Sequence, residues 1–260
     1  MKNIAKILLL IAYLLLITTL FSSCTHYYYG PNSGNVPLLQ AKGDGRISAA
    51  IASSDETTGF ELQSSYAPVN HFGVMVNLYA TGGKNITGSS NGDNINEKGG
   101  GTYAEVGGGY FTTTGVTDKW IFETYFGAGK GTITNNYRRA EKSKTGVIKF
   151  FIQPSIGFQN AKGTLQVALA SRFSSVDLKV TESNMTTNNN PYDFSQVALV
   201  KNNPKHLFWE PAMIIKMGLP NAKVQLQLTP SYEFNKKDID FQWGVFSIGI
   251  IFSFNSTLKK

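Results

Sequence analysis

Cysteine is almost absent from this chain: Cys24 is the only one in 260 residues. An internal disulfide is thereby excluded, and so is a zinc site built on several thiolates. Histidine is nearly as scarce, and His26, His71 and His206 show no metal-ligand spacing. Charge is low as well, at 16% of residues against about 25% in an ordinary water-soluble domain. Past the N-terminus no apolar run approaches the ~20 residues of a membrane-spanning helix. Helical periodicity is missing too. What the chain does have is 26 glycines, 12% aromatic residues and a fine interleaving of polar with apolar positions, which is a strand composition.

The one long apolar run stands at the start. Lys2 and Lys6 precede it, Ile7 to Phe21 form it, and Ser22-Ser23-Cys24 close it with small residues. About 15 apolar residues suit an export signal better than an anchor helix. The end of the run resembles the lipobox of bacterial lipoproteins, with Phe21 where Leu is usual and Leu20 one position earlier. That resemblance implies cleavage between Ser23 and Cys24, and a covalent diacylglycerol plus an N-acyl chain on Cys24; no other cofactor is expected. An ordinary secretory peptide cut nearby is the alternative. Removing two lysines lowers the net charge from +7 to +5.

Four regions follow: a signal peptide at 1–23, the lipidated cysteine and a tether at 24–44, a β-domain at 45–256 and a short tail at 257–260. Thr25 to Gln40 is Tyr-rich, then Pro-Asn-Ser-Gly-Asn, without periodicity. It reads as a tether reaching at most about 55 Å. Gly43-Asp44-Gly45 marks a turn, and alternation then predicts strands near 46–53, 58–67, 71–80, 101–111, 119–130, 146–158, 163–174, 206–218, 223–234 and 241–254. The fold expected is all-β: a single antiparallel up-and-down β-barrel of about ten strands, embedded in a membrane. A hairpin around Asn188-Asn189-Asn190-Pro191 would add two strands.

The sixth candidate strand shows the pattern best. Ile148, Phe150, Ile152, Ile156 and Phe158 share one face, while Lys149, Gln153, Ser155 and Gly157 share the other, with Phe151 as the exception. The tenth is the least polarised, since Trp243, Val245 and Ile251 fall on its polar side. Alternation does not itself tell a soluble barrel with an apolar interior from a membrane barrel with a polar one. Connection lengths favour the membrane. Turns 68–70, 112–118, 159–162 and 219–222 are short, and the three longest connections, 81–100, 131–145 and 175–205, lie on the opposite side. Aromatic residues near the strand ends, Tyr66, Phe72, Tyr110, Trp120 and Phe158 at one end and Phe60, Phe173, Trp209 and Tyr232 at the other, suggest two girdles. Pro154, Pro211 and Pro230 fall inside strands and predict bulges.

Several strings resemble the outer-membrane β-barrel lipoproteins of Bacteroidota-type bacteria: Tyr29-Gly30-Pro31-Asn32, Asn35-Val36-Pro37-Leu38-Leu39, Lys42-Gly43-Asp44, Leu62-Gln63-Ser64-Ser65-Tyr66-Ala67, His71-Phe72-Gly73 and Glu105-Val106-Gly107-Gly108-Gly109-Tyr110-Phe111. They lie in the first half of the chain, and Asp44 stands where the family more often has Glu. The resemblance implies fold and location rather than a reaction. Such bacteria mark surface lipoproteins with acidic residues just after the lipidated cysteine. Thr25-His26-Tyr27-Tyr28-Tyr29 lacks these, which places the lipid in the periplasmic leaflet of the outer membrane.

Candidate functional residues are few. Lys149, Arg172, Glu210 and Glu233 fall on the polar faces of successive strands and predict a charge network across the lumen, because buried charge must be paired. It would either plug the barrel or line a narrow polar channel. Arg138, Arg139, Lys142 and Lys144, with Glu141 as the only acid, make a basic loop that could meet lipopolysaccharide phosphates or simply face solvent. His206, with Asp193 and loop serines as unpatterned partners, is the one candidate for rim hydrolysis. The role expected is non-catalytic: a structural or surface-interacting barrel. Two alternatives are a small-solute channel and a lipid-tethered soluble barrel holding an apolar ligand. Membrane lipid is the expected partner and nucleic acid is not; no sequence feature points to a protein partner.

Overall fold

The computed structural model describes residues 26–55, 57–88, 94–115, 119–187, 191–235 and 237–255. The signal segment, Ser23, Cys24 and the tail 257–260 lie outside the described residues. The strands are β1 (Asp44–Ser53), β2 (Thr58–Val69), β3 (Phe72–Gly88), β4 (Asn94–Thr114), β5 (Lys119–Asn136), β6 (Lys142–Gln159), β7 (Leu165–Ser183), β8 (Lys205–Gly218), β9 (Ala222–Pro230), β10 (Tyr232–Glu233) and β11 (Gly244–Asn255). Each pairs antiparallel with its neighbours, and β1 pairs with β11 while β8 pairs with β9, so the sheet closes on itself. β9 and β10 are one strand interrupted at Ser231; ten strands therefore circle the barrel.

Apolar side chains point outward and polar ones inward. Along β6, Phe150 is 62% exposed while Lys149 is fully buried. Only a closed barrel satisfies every backbone group of a sheet that carries such a surface in lipid. Phe151, the exception in the alternation, packs its ring 4.5 Å from the Arg172 guanidinium carbon in the lumen. Trp243 is a correction: it precedes β11 and stands 51% exposed, while Val245 and Ile251 do face inward. At the level of the apolar outer band the inward positions are mostly polar, among them Gln63, Asn77, Glu105, Gln153 and Arg172.

Polarity reverses along the taller strands. On β7, Leu165, Val167, Leu169 and Phe173 face out and Gln166, Arg172 and Ser174 face in. Beyond that level Ser175, Asp177 and Lys179 face out, and Val176, Leu178 and Val180 face in. β5 changes in the same way after Ala128, with Lys130, Thr132 and Thr134 outward and Ile133 inward. The reversal marks where lipid gives way to water. Thus the expected loops 81–100 and 131–145 are largely strand, and 175–205 begins as strand as far as Ser183: β3 to β7 continue past the apolar band as a wall with a polar outer face. Asn188, Asn189 and Asn190 of the possible Asn-Pro hairpin lie outside the described residues, and Pro191 opens a helix, α1 (Pro191–Asn202). It has proline at its first position, Asp193 in its first turn, Lys201 in its last and Pro204 just beyond. Val197 and Val200 pack on Val176, Leu178, Tyr137 and Tyr28 inside the wall.

No register shift accompanies Pro154, Pro211 or Pro230, whereas Pro68 lies within one, between Tyr66 and Val69. Pro211 and Pro230 occupy opposed positions across β8 and β9, where neither can donate; pairing lapses between Met213–Leu228 and Trp209–Tyr232 and resumes in the same register. Beside Pro154 the β6–β7 ladder skips from Ile152–Phe173 to Ser155–Ala170, again in register. The register shifts lie at Tyr66/Val69 and Lys144/Thr145 instead.

The short-turn end is built by local chemistry. His71, with φ 64°, turns β2 into β3, and its Nδ1 lies 3.0 Å from Phe111 O. Asn160 Oδ1 accepts from Thr164 N at 2.9 Å and Leu165 N at 3.1 Å between β6 and β7.

The expected tether is the largest correction. Residues 26–43 run through the barrel from end to end. Tyr27, Tyr28, Tyr29, Val36, Leu38 and Leu39 are all buried, and β5 supplies a ruler for the path. His26 Nε2 lies 3.1 Å from the carbonyl of Asn136, the last residue of β5, and Gln40 Oε1 accepts from Lys119, its first, at 3.2 Å. A segment without periodicity reads as a tether because most of its hydrogen-bond partners are far away in sequence, on the wall and the connections around it.

Candidate functional site in the barrel lumen

The lumen groups come from alternate residues of consecutive strands, so they project inward at similar depth. Glu105 on β4 is the hub. It sits 3.3 Å from Arg172 Nη1 on β7 and 3.4 Å from Lys149 Nζ on β6. It also accepts from Asn77 Nδ2 and Asn32 Nδ2, both at 2.9 Å. Lys149 reaches Glu210 on β8 at 3.2 Å, and Ser174 Oγ donates to the same carboxylate at 2.8 Å. Arg172 Nε donates to Gln153 at 2.8 Å. Two acids thus balance two cations, and all four are fully or almost fully buried.

The threaded segment completes this network. Tyr29 OH donates to Glu210, and Asn32 Oδ1 accepts from Lys149 at 3.3 Å. Ser33 N donates to Glu61 at 2.7 Å, Gln63 donates to Ser33 O at 2.9 Å, and Gln153 donates to Asn35 O at 2.7 Å. Gln227 donates to Gly34 O at 3.0 Å. The barrel wall therefore supplies partners for backbone that is buried inside the lumen.

A second cluster holds the segment near the short turns. Glu123 on β5 accepts from Leu38 N at 3.0 Å and Leu39 N at 2.8 Å, and Lys216 donates to Val36 O at 2.5 Å. Asp44 accepts from Gln40 N at 2.8 Å and lies 3.6 Å from Arg46. Space is tight here. A Cβ on Gly157 would stand 2.3 Å from Leu38 Cδ2, and one on Gly73 would stand 2.7 Å from Leu39 Cδ1.

Three of the four expected network residues, Lys149, Arg172 and Glu210, do meet. Glu233 does not join them. It lies at the upper rim, 2.6 Å from His206 Nδ1, because β10 ends where the strand leaves the barrel. Alternation could have found Glu105, Glu61 and Glu123, which sit on inward positions of β4, β2 and β5. They were missed because Gly-rich and aromatic neighbours blur those strands.

The basic loop is also rearranged. Lys142 and Lys144 lie on β6 and pair with Glu182 on β7 at 3.3 and 3.6 Å. These lysines hold the Glu182 carboxyl below its ordinary range, the hydrogen bond from Lys142 contributing most. Arg139 is exposed in a 3-10 turn with φ 58°, the Arg138 side chain lies outside the described residues, and Glu141 turns inward to accept from Thr186. Asp193 stands 3.5 Å from His26 rather than beside His206. His206 is buried, and its Nε2 has no hydrogen-bond partner among the described residues.

A closed ten-stranded antiparallel barrel with an apolar exterior and an occupied polar lumen is the class these features define. No family model matches the sequence, and no curated protein sequence matches it. Among solved structures, the chain is similar to the N-terminal β-barrel domain of OprF from Pseudomonas aeruginosa, at 12% identity over 83% of this chain and 100% of that one, with a TM-score of 0.34. It is similar to Ail, the attachment invasion locus protein of Yersinia pestis, at 13% identity over 82% and 99%, with a TM-score of 0.36. An outer membrane channel from Pseudomonas putida gives 6% identity over 86% and 98%, with a TM-score of 0.38.

Proposed function

We propose that this protein is a lipid-anchored barrel of the bacterial outer membrane whose role is structural or surface-interacting, not catalytic and not conductive. The observation that carries the reading is the occupied lumen: residues 27–40 run along the axis, and Glu105, Lys149, Arg172 and Glu210 close around Asn32 and Tyr29. A solute would have to displace a segment held from both ends. The outward apolar band supports membrane embedding, and the side bearing the wall and α1 faces the exterior by the usual asymmetry of such barrels, whose long connections lie outside. On this reading the cap over the lumen, built from α1, Tyr28 and the inner faces of β5 to β7, is what the protein presents to its surroundings. The acyl chains on Cys24 would add a second membrane attachment to the barrel itself. The 2.6 Å contact between His206 Nδ1 and Glu233 supports a rim histidine held in place by that carboxylate.

Planar bilayer recording of the purified protein tests this. The expected result is no stepwise conductance. Reproducible single-channel steps that disappear in Lys149→Met or Arg172→Met would overturn the reading in favour of a narrow channel.

A further inference from the structure

The direction of the threaded segment has a consequence for where the chain begins. His26 is fixed at the tall end of the barrel, against Asn136 and 3.5 Å from Asp193 of α1. Tyr28 N donates to Asp240 O, and Gln242 N donates to Tyr29 O, both in the connection that follows β10. At the other end, Gln40 N is held by Asp44, Gln40 Nε2 donates to Gln159, and Lys42 N donates to Asn70 in the short turn after β2. β1 then starts at this short-turn end. Entry and exit of residues 26–43 are therefore on opposite sides of the apolar band.

We infer that the chain emerges from the barrel N-terminally on the exterior face, so that Cys24, and any lipid it bears, is displayed outside while β1 starts at the periplasmic side. This rests on the proposed membrane orientation and, for the lipid, on the proposed anchor. Cys24 lies two positions before His26, with only Thr25 between, a reach of at most about 7 Å, too little for the chain to return across the membrane. The side is set by hydrogen bonds along the whole lumen rather than by one contact. The absence of acidic residues after Cys24, which in the resembling family argues for the periplasmic leaflet, does not bear on this route. The route shown by the described residues is through the barrel's own lumen.

The test uses full-length protein in its own membrane, with one short epitope per variant: between Thr25 and His26, within 184–187, or within the 160–164 turn. Heat-modifiable migration checks that each variant folds. In intact cells the first two epitopes are expected to bind antibody, and the third only after the outer membrane is permeabilised. An N-terminal epitope hidden in intact cells while 184–187 is reachable would overturn the inference. So would a 160–164 epitope reachable from outside, because the barrel would then be reversed. Acyl labelling that is lost in Cys24→Ala is expected in parallel. Its absence from the natural sequence would overturn the lipid anchor, and the epitopes would still decide the side.

Discussion

Glu105 accepts from Asn32 at 2.9 Å while lying 3.3 Å from Arg172, so one carboxylate ties the threaded segment to the wall. The pairing is costly to leave half made. Charges in a dry lumen are tolerated only while each keeps its partners, and removing one strands the rest.

Glu105→Gln is accordingly expected to lose about 3–5 kcal/mol, the usual cost of orphaning a buried ion. Urea unfolding of the protein in lipid vesicles measures it. Adding Arg172→Gln should restore part of the loss, since Lys149 and Glu210 would then remain as a matched pair. A double variant weaker than Glu105→Gln alone would refute this account.

The lipid boundary makes a positional prediction. Ile152→Arg, on the outward face of β6 within the apolar band, should cost about 2–4 kcal/mol. Thr132→Arg on β5, above the polarity reversal, should cost about 0–1 kcal/mol. Equal losses at both sites would mean that the band ends elsewhere.

Leu38 and Gly157 give a steric test of the docked segment. Gly157→Ala should destabilise by about 1–3 kcal/mol through overpacking against Leu38 Cδ2. In a Leu38→Ala background the same change should cost almost nothing. If the loss is undiminished there, Leu38 is not seated against Gly157.

On the outer face of the wall, the Lys142–Glu182 pair is half exposed and should contribute little. A double-mutant cycle with Lys142→Ala and Glu182→Ala is expected to show only a weak coupling that falls with added salt. Because Glu182 is held below its ordinary range, whatever stability the pair adds is present above the unfolded carboxylate value near 4.3 and is lost as pH falls through the folded one. Repeating the cycle at pH 3 should abolish the coupling.

Much of the barrel was legible from alternation because lipid outside and polar groups inside impose a period of two on almost every strand. Ile148 to Phe158 illustrates this, and three of the four charged residues read as a network do meet. The extent of β3 to β7 was hidden by the same logic. Once Val176 and Leu178 face inward and Asp177 faces outward, the alternation persists with its sense inverted, which reads as a loop to an eye tracking only one apolar face. The threaded segment was less accessible still. Its one available clue was that Thr25 to Gln40 contains no Lys, Arg, Asp or Glu, whereas a linker living in water would normally be charged. Amide and hydroxyl side chains without charge suit a segment that must hydrogen-bond in every direction inside a wall of fixed ions.

The Ser33 hydroxyl lies 2.9 Å from Ser247 of β11, the last of the described strands in chain order. Radial position in this molecule therefore runs opposite to the order of synthesis. The earliest of the described residues form the axle, and the last described strand is a stave of the cask around it, lying beside β1 at the seam.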